Sequence, residues 1–305
     1  MTRRIIVSSI IAGLVVAAAP AAAVGPTEFI DARGNEWTVA VDTDVVAWAT
    51  SSTKSTYVTA VKVREGTDPG IRISKTGTAA YVGNIELGGS HGDVVLFFQG
   101  ANKGRGQWDA KLWDLGSDSL QPLPSGINTS KDEIYGGISG QYLLFTRGAS
   151  EGDLKTVLLY RFDSDSFTTL AEAPKGGSVT ANSIAGDYAT YTVCPRSYEC
   201  NVFRYQISTE DRTKMPNSGR ANYYSSVLSD GTVYYVSGSP KYCGYKTSLV
   251  RVVDGGGPIR LARLPNGIES GPTSAWVDPI SSDPTLYFTR IQCRHFRTGI
   301  WQLPG

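Results

Sequence analysis

Six short apolar runs recur along this chain, and their spacing restricts it to very few folds. They are VVAWAT from Val45, VVLFFQ from Val94, YLLFTR from Tyr142, YATYTV from Tyr188, VYYVSG from Val233 and LYFTRI from Leu286. Their starts lie 49, 48, 46, 45 and 53 residues apart. A repeat of about 40 to 50 residues is the length of one four-stranded propeller blade. Each run leads through a polar loop into a second strand: YVTAVKV from Tyr57, AKLWDL from Ala110, VLLYRF from Val157, NVFRYQI from Asn201, SLVRVV from Ser248 and GIWQL from Gly299. A turn rich in Asp, Ser and Gly follows, then a short strand such as FTTLAEAP or LQPLP. Small or polar residues, as in SVTANSIAGD and DEIYGGISGQ, open the next unit. Turns of this chemistry join antiparallel neighbours. The expected fold is all-β, a six-bladed β-propeller of four-stranded antiparallel blades.

The final unit stops after its third strand, GIWQL, while Thr27-Glu28-Phe29-Ile30 precedes the inner strand of the first unit at residues 36–41. An open sheet edge invites pairing with other chains, and closing the ring removes it. The N- and C-terminal strands are therefore expected to share one blade. Ahead of them, Met1-Thr2-Arg3-Arg4, an apolar stretch from Ile5 to Ala19 and the small residues Ala21-Ala22-Ala23 read as a signal peptide, residues 1–23, cut after Ala23. Gly25-Pro26 follows at once and leads into polar sequence. The expectation is a secreted protein without membrane insertion, its residues 24–305 forming a single propeller domain.

Charge sets a boundary on function. With 29 Lys and Arg against 28 Asp and Glu, the net charge is +1, which excludes a uniformly basic nucleic-acid binder. Four cysteines, Cys194, Cys200, Cys243 and Cys293, suit a chain that oxidises after export. Of the three possible pairings, topology favours Cys194 with Cys200, which would staple the loop CPRSYEC, and Cys243 with Cys293, in the equivalent loops of the next two units. CxxxxxC with two distant histidines is poor zinc spacing, so no metal and no cofactor is expected. His91, in GGSHGD, and His295 fall on opposite faces of the disk, so no Ser-His-Asp arrangement links them. Gly255-Gly256-Gly257 precedes no helix and reads as a turn. The turn Asp163-Ser164-Asp165-Ser166 lacks the glycine and distal glutamate of a calcium loop.

Sorted by face, the charges separate, except in the third unit, whose loop carries Glu151, Asp153 and Lys155. Loops joining second to third strands carry Lys103, Arg105 and Trp108; Arg196 and Tyr198; Lys241, Tyr242 and Tyr245; Arg294, His295, Phe296 and Arg297. The opposite turns carry Asp42, Asp44, Asp93, Asp118, Asp163, Asp165, Asp187, Asp230 and Asp254. Aspartate also favours turns for reasons unconnected with ligands. Aromatics interleaved with Arg and Lys, however, are the usual anchors of protein contacts and of stacked sugar rings.

Motifs such as AGDYATYTV…VFRYQISTEDRTKMP and SGQYLLFTRG…LLYRFDSDSFTTLAEAP, extending over nearly the whole mature chain, resemble the TolB-like six-bladed propellers of exported bacterial proteins. That resemblance implies binding of a protein or small ligand at one face or at the channel mouth. The expected function is non-catalytic binding of a protein or of a glycan or other anionic ligand through the Lys/Arg/aromatic face, by a monomer. Two alternatives are weighed against it. One is a lyase or hydrolase acting on an anionic polysaccharide, with His295 or a tyrosine as base and Arg294 or Arg297 facing the substrate carboxylate. The other is a structural scaffold whose faces stack against other domains.

Overall fold

The computed structural model describes residues 27–30, 35–51, 60–66, 69–74, 80–100, 107–150, 152–196, 199–216, 221–238, 247–264, 268–269, 285–292 and 297–304. Its strands form a propeller of four-stranded antiparallel blades. After β1 (Thr27–Ile30), five blades are built from consecutive strands. The first holds β2 (Asn35–Asp42), β3 (Val45–Ser51), β4 (Ala60–Glu65) and β5 (Ile71–Arg72). The second holds β6 (Ala80–Gly89), β7 (Gly92–Gly100), β8 (Trp108–Asp114) and β9 (Ser119–Gln121). The third holds β10 (Asp132–Ser139), β11 (Tyr142–Gly148), β12 (Leu154–Arg161) and β13 (Ser166–Glu172). β14 (Ser178–Ala185), β15 (Tyr188–Cys194), β16 (Asn201–Gln206) and β17 (Asp211–Lys214) make the fourth. The fifth comprises β18 (Ala221–Val227), β19 (Val233–Gly238), β20 (Thr247–Val252) and β21 (Ile259–Leu264). A further four-stranded sheet combines β22 (Ile268–Glu269), β23 (Thr285–Gln292) and β24 (Arg297–Pro304) with β1, whose Thr27 and Glu28 pair with Gln302 and Trp301. The leader at residues 1–23 lies outside the described residues.

Each repeated apolar run is the second strand of its sheet, and the reason is two-sided burial. In β7, Val94, Leu96 and Phe98 pack into one apolar cluster with β10, β11 and β12, while Val95 and Phe97 pack into another with β2, β3 and β4. A strand wedged between two neighbours has no face left for solvent, so the period-two alternation of a half-exposed strand disappears. The same division holds elsewhere. Tyr234 and Val236 of β19 join Leu286 and Phe288 of β23, whereas Val233 and Tyr235 join Val202 of the fourth blade. At the first blade, Val46 and Trp48 pack with Val39 and Val41, and Tyr287 of β23 packs against that group.

The inner strands carry a second regularity. Each of β2, β6, β10, β14 and β18 slips register by one residue partway along its pairing with the second strand. The slips fall between Glu36 and Val39, Val82 and Asn84, Ile134 and Gly136, Ala181 and Ser183, and Tyr223 and Ser225, and β6 slips once more between Glu86 and Gly89. A bulge adds one unpaired residue, bends the strand and re-aims its side chains.

One buried ion pair locks the connection into the third blade. The fully buried Glu133 carboxylate accepts from Arg147 Nε at 2.7 Å and from the Thr129 amide and hydroxyl, while Arg147 also donates to the carbonyls of Gly126 and Ile127. Burial nevertheless pushes the Glu133 carboxyl above its ordinary range, against the opposing hydrogen bonds from Thr129 and Arg147. Arg147→Ala should therefore cost about 3–5 kcal/mol, because it strands a buried charge. The sign of its pH dependence follows from the raised pKa. The folded state holds the Glu133 proton to higher pH than the unfolded chain does, so stability falls as pH rises from the ordinary carboxyl value through the folded one. Urea unfolding should show a smaller deficit for the variant at pH 4 than at pH 7.

Candidate functional site

Inner strands β2, β6, β10, β14 and β18 line a channel of two sections. The middle section, about 70 Å³, is lined by Thr38, Gly83, Asn84, Tyr135, Thr180, Asn182, Tyr224, Ser225 and their neighbours, none of them charged. The wider section, about 180 Å³, opens toward the turns that join first to second strands and is lined by Asp42, Glu86, Ser139, Gly186, Ser229 and neighbours. Asn84 and Ile184 belong to both walls.

The channel wall is held by side chains that reach from one blade to the backbone of the next. Thr38 Oγ1 accepts from the Val82 amide, and Asp42 Oδ2 accepts from that of Leu87. Asn84 binds Ile138 twice, accepting from its amide and donating to its carbonyl, while Glu86 Oε1 accepts from the Gly140 amide. Thr146 Oγ1 serves Ala181, and Ser139 Oγ serves Gly186. Ser183 Oγ accepts from Val227, and Asn182 donates to Ser225 Oγ and Thr192 Oγ1, each at 2.8 Å. Those at Val82, Ile138 and Ala181 are buried, and each satisfies an amide that would otherwise cost about 1–3 kcal/mol at a blade junction.

Two residues on this wall stand out by their backbone. Of the described residues, Thr43, Asp118, Asp165, Glu210, Tyr135 and Tyr224 are the non-glycines with positive φ. The first four occupy hairpin turns, where left-handed conformations are ordinary. Tyr135 (φ 59°) and Tyr224 (φ 48°) instead sit in the bulges of β10 and β18. A left-handed backbone costs a bulky L-residue roughly 1–2 kcal/mol. Tyr135 packs its ring against Tyr81 at 5.3 Å, and Tyr224 against Tyr223 at 5.4 Å. The bulge residue between them, on β14, is Asn182.

At the turn-side mouth, Glu86 stands beside Asp42. Burial raises the Glu86 carboxyl above its ordinary range, the Gly140 amide opposes this, and the charge on Asp42 adds to it. Its second oxygen, Oε2, is buried without a hydrogen-bond partner among the described residues.

The loop face expected to bind ligand is described only in part. Lys103, Arg105, Tyr198, Lys241, Tyr242, Tyr245, Arg294, His295 and Phe296 lie outside the described residues, as do Cys243 and Cys293. Arg297 is the first residue of β24 and pairs with Gln292. Arg196 is placed in the loop that the Cys194–Cys200 disulfide closes, so this expected bridge forms. Its side chain is 80% exposed, in a loose 3.6 Å pair with Glu199. Trp108 requires correction. It is not an exposed anchor but a core residue, 1% exposed, packed with Tyr81 at 5.1 Å between the second and third blades. The third strand starts two residues before the AKLWDL segment, and the Trp108 amide donates to the buried Asp132.

Most of the aspartates on the opposite face serve the turns themselves. Asp93 accepts from the Gly88 amide, Asp187 from Ser208, Asp230 from Thr232, and Asp165 from the Tyr160 hydroxyl. Asp163 pairs with Arg161, and Asp254 with Arg204 of the neighbouring blade. Turn chemistry, not a ligand, accounts for that acidic ring. His91 lies 4.1 Å from the Phe162 ring, and burial holds its imidazole below the ordinary range. Among the described residues no group of three or more His, Cys, Asp or Glu is arranged to hold a metal ion, and no helix is long and apolar enough to cross a membrane.

Comparison with solved structures then places the architecture. The chain superposes on a TolB-type protein of Agrobacterium tumefaciens with a TM-score of 0.58 at 10% identity, covering 89% of this chain and 91% of that one. The fold is that of a TolB-like propeller. TolB from Acinetobacter baumannii aligns with a TM-score of 0.50 at 12% identity, over 81% of this chain and 59% of its own length. No family model matches the sequence, and no curated protein does either. At these identities the likeness to TolB lies in the fold.

Two measurements follow from this geometry. Replacing Cys194 and Cys200 by Ser opens a short loop and should lower stability by about 2 kcal/mol in chemical denaturation. Glu86→Gln keeps an acceptor for Gly140 and removes the charge facing Asp42. Because the folded pKa is raised, the ionised form is the disfavoured one, so the variant should gain on wild type in melting temperature as pH rises from 4 to 7.

Proposed function

We propose that this protein is an exported, non-catalytic β-propeller that binds a protein or an anionic glycan through the loops joining second to third strands. The observation that carries the reading is Arg196. A disulfide closes its loop, its guanidinium is largely exposed, and its partner Glu199 is itself 61% exposed and only loosely engaged. A cation presented on a constrained loop loses little conformational entropy on binding, and Arg is a preferred anchor for carboxylates. The disulfide agrees with an oxidising compartment, and so with a cleaved leader at residues 1–23.

The same reading takes the sheet formed by β22, β23, β24 and β1 as the sixth blade, closing the ring. Leu286 and Phe288 packing with the fifth blade, and Tyr287 packing against the first, support it. A closed ring leaves no inter-blade surface to be covered by a second copy, which agrees with a monomer.

Polygalacturonate, an anionic glycan, tests the proposal on the mature protein. Retention that weakens with salt, falls several-fold in Arg196→Ala and releases no unsaturated sugar is expected. Release of unsaturated products would instead establish a lyase, and Arg196→Ala retention equal to wild type would remove the loop face from the account.

A further inference from the structure

We infer that the ligand is a linear polyuronate whose chain runs from the Arg196 loop down the outer edge of the fourth blade, where Lys214 and Arg212 hold further carboxylates. This rests on the reading of the Arg196 loop given above and adds a second contact area to it. The loop at residues 194–200 joins β15 to β16, and Lys214 pairs with Phe203, two residues along β16 from Asn201. Arg212 pairs with Tyr205, two residues further on. Alternate residues of a strand share a face and stand about 7 Å apart, so Lys214 and Arg212 form one row that starts beside the loop. Lys175 borders the same end. It is exposed in the turn at residues 174–177, which packs against Cys194 and Pro195 so closely that Gly177 has no room for a Cβ.

Arg212 is the best positioned of the three. Its guanidinium lies over the Phe203 ring, 3.9 Å from the centroid, and Phe203 in turn stacks on the fully buried Tyr191. A guanidinium held against a ring directs its N–H donors outward in its own plane, where a carboxylate meets them two at a time. Lys175, Arg212 and Lys214 are all exposed, and none of the ion pairs among the described residues engages them. Asp211 falls on the opposite face of β17, and Glu210 occupies the turn at the far end of the row.

The absence of an apolar anchor selects the ligand class. Protein contacts are centred on aromatic and apolar side chains that become buried in the interface. Among the described residues the exposed large apolar side chains are Ile71, Leu120, Phe167, Val253 and Ile259, none of them on the fourth blade. A row of cations without such an anchor fits a polymer that repeats carboxylates along an extended chain.

Calorimetric titration of the whole mature protein with trigalacturonate and decagalacturonate tests this. The Arg212→Gln/Lys214→Gln double variant should bind the longer chain about five- to ten-fold more weakly than wild type, yet bind trigalacturonate within about two-fold of it. Arg196→Ala should weaken both ligands. Arg212→Lys, which keeps the charge and loses the planar fork, should retain only part of the wild-type affinity for decagalacturonate. Equal affinity of the double variant and wild type for decagalacturonate would overturn the inference and leave the Arg196 loop in place. Failure of wild type to bind either chain would remove the glycan reading itself, and the strip with it. A glutamate decapeptide that binds as tightly as decagalacturonate, with the same loss in the double variant, would overturn the polyuronate assignment in favour of an acidic protein segment.

Discussion

A strand that must face two neighbours at once buries both of its faces, and this constraint organises the molecule. It makes the second strands of the sheets predominantly apolar and splits their residues alternately between two blade junctions. It also leaves the blades dependent on one another for their cores. Phe97 and Phe98 are adjacent in sequence, both fully buried, and belong to different apolar clusters. A single blade could bury only one of these faces, so the fold is stable only as an array.

The inner strands face the opposite problem. Around the axis they converge, and their backbone amides need partners that no strand supplies. Side chains from the preceding blade fill the gap: Thr38 for Val82, Thr146 for Ala181, Ser183 for Val227. The bulges accommodate this convergence, and the Tyr135 and Tyr224 rings that sit in two of them pack against the cores between blades.

How much of this is legible in the sequence depends on the physical scale of each signal. Repeats at Val45, Val94, Tyr142, Tyr188, Val233 and Leu286 are legible because two-sided burial writes itself as a predominantly apolar run. The Cys194–Cys200 bridge is legible because both cysteines flank one hairpin loop. Trp108 is misread because the third strand begins earlier than its apolar pattern, so a core aromatic falls into what looks like a loop. The aspartates of the turn face look like a charge message, whereas Asp93, Asp187 and Asp230 serve nearby backbone amides within or beside their own turns. The tyrosine pair is invisible in the sequence. A bulge of one residue leaves no compositional mark when its occupant is Gly83 in one blade and Tyr135 in the next.

Native-state hydrogen exchange tests the account most directly. The Val82, Ala181 and Val227 amides, which donate to side chains of a neighbouring blade, should exchange as slowly as the ladder amides of β7 and β11, and Thr146→Val should release Ala181 selectively. Exchange of these three amides at the rate of exposed loops in the wild-type protein would contradict it.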